Sequence, residues 1–199
     1  MQLQKQPEMM TEMPAEDRRG IEGYVFLAAY IACIPLANWM IGHVGTVCVP
    51  QGPCLVPVAP GLMAPSGVLL VGLALVLRDL VQRRLGIAYA LAAIAVGAVL
   101  SGVLAPLPLV VASTSAFLLS ELADFAVYTP LQKRGLVLAV LASSLVGLIA
   151  DSIIFLWLAF GSFEFLIGQI VGKAWMVLLT LPAIGWLRRR DERLELVRP

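Results

Sequence analysis

Four ionisable residues, Glu121, Asp124, Asp151 and Lys173, stand inside long apolar stretches of this 199-residue chain. At membrane depth such a group costs at least about 2.5–3.5 kcal/mol on insertion scales, so it faces a bundle interior or a wet cavity. Glu121 and Asp124 are three apart and share a helical face with Thr114, Phe117 and Tyr128. Two carboxylates flanked by aromatics suit the lining of a polar pocket. Asp151 and Lys173 have the types of a buried ion pair. Three carboxylates against one ammonium leave two net negative charges if all ionise, which hydrocarbon surroundings do not tolerate. At least one carboxyl then holds a proton, or a cationic or proton-donating ligand supplies the balance. A site of this kind suits a carrier of an amidine-like or aminated solute. Each pair also has a structural alternative: Asp151 with Lys173 as a lock on helix packing, and Glu121 with Asp124 as protonated interhelical glue.

Six apolar stretches position these groups, at about 24–41, 61–77, 87–105, 109–129, 136–160 and 165–187. Each is near the roughly 20 residues that a helix needs to cross a hydrocarbon layer. With 60% hydrophobic and 14% charged residues and a mean hydropathy of +0.90, the chain is too apolar for a soluble domain of its size. The expected fold class is an all-α integral membrane protein of six transmembrane helices. Asp151 lies nine residues before the end of the fifth stretch and Lys173 eight after the start of the sixth, so both sit about 12–14 Å below the same surface. The short 161–164 connection makes those two helices antiparallel neighbours, and an Asp151–Lys173 pair is geometrically easy.

Of the 14 Lys and Arg residues, all but Lys173 fall outside the apolar stretches, in alternate connections. They gather at Lys5, Arg18 and Arg19, at Arg78, Arg83 and Arg84, at Lys133 and Arg134, and from Arg188 to Arg198. The excess of basic residues in cytoplasmic loops then puts both termini and the 78–86 and 130–135 loops inside a cell membrane crossed several times. Arg78 and Asp79 read as interfacial anchors, Arg78 snorkelling and its neighbour capping the basic cluster. The acidic residues among 1–20 and the lack of a small-residue cleavage pattern argue against a removable signal peptide. Residues 1–20 are expected as a disordered cytoplasmic tail, 21–190 as one six-helix transmembrane domain and 191–199 as a second cytoplasmic tail. Cys48 and Cys54 bracket a loop with Pro50, Gly52 and Pro53 on the external side, where they are either bridged or free thiols. Cys33 is expected to pack.

Other chemistry has little support. No glycine-rich loop followed by Lys-Ser or Lys-Thr is present to hold a nucleoside triphosphate. The only histidine, His43, has no serine partner or metal-ligand spacing. No metal, cofactor or nucleic acid is expected; the partners are the lipid bilayer, a small solute and, through the small residues Gly97 and Ser101, a second copy or another helix of the same bundle. A weak parallel repeat with a shift of fifty residues aligns Gln82-Arg83-Arg84 with Gln132-Lys133-Arg134. Two rivals to a carrier remain: a membrane scaffold whose buried charges lock helices, and an intramembrane hydrolase using Asp124 and Asp151.

Several segments resemble one family in the right order. Gly61-Leu-Met-Ala-Pro-Ser-Gly67 followed by Leu77-Arg-Asp-Leu80 and Gly86 resembles the second span of the queuosine precursor transporter family, also called the vitamin uptake transporter family. Ser113-Thr-Ser-Ala116 with Ser120-Glu-Leu-Ala-Asp124 looks like its fourth span, and Ser143-Ser-Leu-Val-Gly147 with Ala150-Asp-Ser152 looks like its fifth. Lys173 with Pro182 looks like its sixth, and Asn38 falls where the family usually has an Asn. The resemblance implies a six-helix importer of the 7-deazaguanine bases preQ0 and preQ1, with a fold similar to the substrate-binding subunits of energy-coupling-factor importers. Glu121 departs from the pattern, standing where Gln is common. A guanine-like edge presents two adjacent N–H donors, which one carboxylate accepts in a bidentate way. Glu121 or Asp124 is assigned to that edge, Phe117 or Tyr128 to stacking, Asp151 and Lys173 to charge balance, and Asn38 and Gln169 to the exocyclic groups. Proton linkage, metabolic trapping and an external ATP-driven module are all open as energy sources.

Overall fold

Apolar runs punctuated by Gly and Pro fold here as six helices with a small sheet inserted after the first. The computed structural model describes residues 15–48, 53–105 and 107–193. In order these form α1 (Ala15–His43), β1 (Val47–Cys48), β2 (Cys54–Ala59), β3 (Leu62–Pro65), α2 (Val68–Leu85), α3 (Ile87–Leu104), a 3-10 turn at Leu107–Leu109, α4 (Val110–Leu131), α5 (Leu136–Phe160) and α6 (Leu166–Arg193). Single glycines make two of the reversals. Gly86, at φ 96°, ends α2 and starts α3 with no further linker, and Gly161, at φ 61°, caps α5. Both take backbone conformations that side chains disfavour.

Five of the helices, all but α2, are long and apolar enough to cross a membrane, against the six expected. α2 has 18 residues but carries Arg78, Asp79, Arg83 and Arg84. It contacts each of the other five helices and is buried without a break from Ala74 to Gln82. The helix with a charged pair, Arg78 and Asp79, at its middle is therefore the central one, shielded from lipid by its neighbours, as hydrocarbon surroundings demand. The outer faces are apolar: Val103, Val111 and Leu179 are at least two-thirds exposed. Trp39 and Trp157 towards one end, and Tyr24, Tyr89 and Trp186 towards the other, are half exposed in the manner of interfacial belts.

The chain departs from an all-α expectation between 47 and 67. Pro57, Pro60 and Pro65 interrupt helical hydrogen bonding, and Gly61 at φ 73° makes a turn. The stretch expected to begin a helix at 61 instead forms an antiparallel sheet in the order β1-β2-β3, with Val47 opposite Leu55 and Pro57 opposite Met63. Cys48 and Cys54 face each other across β1 and β2 and are joined as a disulfide; Pro50 and Gly52 lie outside the described residues. The sheet is fastened to the bundle by Ser66 Oγ donating to Met40 O at 2.7 Å and Trp175 Nε1 donating to Val58 O at 3.0 Å.

At the opposite end a clasp joins α1, α2 and α6. Glu22 accepts from Arg84 at 2.9 Å and Arg190 at 2.6 Å, while buried Asp191 accepts from Arg83 at 3.0 Å and Arg84 at 2.8 Å. These contacts carry α1 and α6 beyond the expected limits: residues 15–20 are helical rather than tail, and α6 continues past 190 to Arg193. Residues 1–14 and 194–199 are outside the described residues. The two helix pairs of the proposed repeat pack differently, α4 and α5 along their length and α2 and α3 much less, so the repeat finds no support in packing. Gly97 lies against Phe117 and Ile34, which places the small-residue stripe of α3 inside the bundle.

Candidate functional site

Between the sheet and the middle of the bundle lies a cavity of about 100 Å³. That is several times the roughly 10–15 Å³ needed to hold one water, so the cavity has room for a small solute. Six of the eight residues expected to bind solute line it: Asn38 from α1, Phe117 and Glu121 from α4, Asp151 from α5, and Gln169 and Lys173 from α6. Cys33, expected only to pack, lines it as well, as do Phe155 and the hydroxyls Ser101, Ser113 and Ser120. Asp124 and Tyr128 are not part of the lining; they follow Glu121 along α4, one and two turns closer to the clasp.

One wall is built on Lys173. Its ammonium donates to Asp151 Oδ2 at 2.5 Å, Ser152 Oγ at 2.8 Å and Gln169 Oε1 at 2.7 Å. Three donors meet three acceptors, so the ammonium is satisfied within the protein. The pair is as the depth argument requires. Its position depends on glycine: a Cβ at Gly72 of α2 would stand 2.5 Å from the Lys173 carbonyl oxygen, so the two backbones touch there.

The floor is built on Arg78, where the sequence reading is overturned. Arg78 does not snorkel to an interface, and Asp79 does not cap a basic cluster; both are wholly buried. Arg78 Nε donates to Glu121 Oε2 at 3.1 Å, Nη1 meets Asp79 Oδ1 at 2.7 Å, and Nη2 donates to Asp124 Oδ1. Its Cζ lies 5.8 Å from the ring centres of both Phe125 and Tyr128. Asp79 also accepts from Ser143 Oγ at 2.8 Å. A planar guanidinium with five donors is the side chain able to serve three carboxylates at once. Burial of Arg78 follows from the later start of α2: with its first residue at Val68, positions 78 and 79 fall mid-helix. The prolines and glycines between 57 and 67 were the signal that could have found it.

Glu121 belongs to both layers, because it lines the cavity and bonds the floor. Phe117 sits with its ring centre 6.3 Å from that of Tyr30, backed by Gly97, and offers a flat apolar face. The site can therefore hold a flat, donor-rich heterocycle between a ring and a carboxylate, with an amide and an ammonium at the rim. Adding Arg78 and Asp79 to the charge count gives two cations against four carboxylates, so the interior remains two charges negative when all ionise.

Apolar helices enclosing an internal cavity lined by a few charged and amide side chains define the class: a multi-pass integral membrane protein. Residues 103–187 match the model of the family described as "Putative vitamin uptake transporter", in agreement with the resemblance carried by the fourth to sixth spans. The matched stretch holds Glu121, Asp124, Asp151, Gln169 and Lys173; Asn38, Arg78 and Asp79 precede it. No curated protein and no solved structure matches the chain.

Proposed function

We propose that this protein imports the 7-deazaguanine bases preQ0 and preQ1, precursors of queuosine, across the cell membrane. The observation that carries the reading is the placement of Glu121 and Phe117 on one cavity wall. A carboxylate there accepts the paired N–H donors of a guanine-like edge, and the ring stacks on the base. Asn38 and Gln169 serve the exocyclic groups, and the Asp151–Lys173 pair fixes the local field. Asp124 and Tyr128, being outside the lining, support Arg78 and touch no solute. Both termini and the clasp face the cytoplasm, on the strength of the basic residues in the terminal segments and the even-numbered connections. The family description favours a second reading, a different vitamin-like solute in the same cavity.

Expression in cells that neither synthesise nor import queuosine precursors, with preQ0 or preQ1 supplied outside, tests this directly. Queuosine in tRNA is the expected outcome; its absence, with the protein present in the membrane, rejects the substrate. On purified protein, preQ0 should raise the unfolding temperature by mass action, and Glu121→Gln should lower its affinity tenfold or more. An unchanged affinity removes Glu121 from the site.

A further inference from the structure

Beneath the cavity a polar column runs through the apolar bundle towards the clasp. It starts at Glu121, passes through Arg78, and continues by Arg78 Nη1 to Gln82 Oε1 at 3.4 Å and Gln82 Nε2 to Thr129 Oγ1 at 3.1 Å. Asp79 and Asp124 flank it, each held by a different amino group of the same guanidinium. Asp124 Oδ2 and Asp79 Oδ1 are buried and accept no hydrogen bond among the described residues, although the latter touches Arg78 as an ion. A proton on one of the two carboxyls relieves the like charge beside the guanidinium. The Tyr30 hydroxyl is wholly buried and likewise without a hydrogen-bond partner among the described residues.

We infer that the Asp79–Asp124 pair carries an exchangeable proton and that the protein is a proton-coupled carrier, moving one proton with each solute molecule. The inference rests on the importer reading above. Two like charges beside one guanidinium in a low dielectric do not both ionise readily, and with a neutral solute such as preQ0 in the cavity a proton on the pair offsets one of the two excess negative charges. Arg78 from α2 and Ser143 from α5 touch the pair, Glu121 and Tyr128 of α4 lie on the same guanidinium, Lys173 of α6 is paired with Asp151 of α5 instead, and α3 carries no charged residue. The proton reaches the pair from the cavity side, where Glu121 bonds the same guanidinium, and leaves towards the clasp, where Gln82 and Thr129 lie; the guanidinium itself stays protonated. No bond other than O–H is made or broken.

The test uses the full chain in liposomes with preQ0, whose neutral nitrile is not concentrated by pH alone. Exchange of labelled preQ0 against unlabelled preQ0 reads transport without a gradient. With acid on the sheet side, preQ0 should accumulate up to about tenfold per pH unit for one proton per solute, and a protonophore should abolish the excess. Asp79→Asn should remove the gradient-driven excess, and accumulation at the parent's level by this variant overturns the role of the pair. Exchange without any response of the unmodified protein to the gradient overturns the coupling and leaves the importer standing. Absence of exchange in the unmodified protein overturns both.

Discussion

At the scale of single residues, the interior is built on two cations, each bonded to several buried acceptors. Lys173→Met leaves Asp151 buried and uncompensated, which should destabilise the protein by about 3–5 kcal/mol and abolish uptake. Thermal unfolding in detergent reads the first effect. Adding Asp151→Asn to Lys173→Met should restore most of the stability and none of the uptake; recovery of both would reduce the pair to a packing device. Arg78→Lys keeps the charge but loses the planar fork, so at least one carboxylate forfeits a charged hydrogen bond. A loss of about 1.5–3 kcal/mol is expected for each bond not replaced. Lys173 was visible as a lone cation in an apolar run. Arg78 was not, because a charge at the apparent end of such a run reads the same as one in its middle until the start of the helix is known.

At the scale of elements, close backbone approach sets how α2 and α6 carry the site. A Cβ at Gly72 meets the Lys173 backbone at 2.5 Å, whereas one at Gly97 meets the far edge of the Phe117 ring at 2.5 Å. Backbone cannot yield as a ring can. Gly72→Ala should therefore cost about 1–3 kcal/mol by overpacking, while Gly97→Ala should unfold at a temperature closer to the parent but weaken preQ0 binding, since the ring moves into the cavity. Equal losses of stability would contradict this ordering. The sheet had a signal in Pro57, Pro60 and Pro65, yet local chemistry only forbade the helix. Pairing with β3 and docking on Trp175 of α6 decided what replaced it.

Considering the whole molecule, the disulfide and the clasp mark opposite ends of one bundle. An impermeant reductant followed by an impermeant maleimide, applied to whole cells, should label Cys48 and Cys54 and leave a cysteine added after Pro199 untouched. The reverse pattern would invert the topology and, with it, the direction of the proposed proton path. Removing the bridge by Cys48→Ser with Cys54→Ser frees a short loop and should lower stability by about 2 kcal/mol in the chain-entropy account, with the bundle below unchanged in preQ0 affinity.

Hydropathy and charge distribution by themselves determined that this chain spans a membrane in several helices and that Asp151 meets Lys173, because both follow from one-dimensional spacing and the free energy of burying charge. They also pointed to Glu121 as a polar group in need of a partner. Which partner it has, and that Asp124 and Tyr128 stand behind the cavity rather than in it, was decided by tertiary structure alone. The depth of α2 depends on a sheet formed between strands distant from Arg78, and a guanidinium gathering three carboxylates from two helices leaves no trace in sequence order.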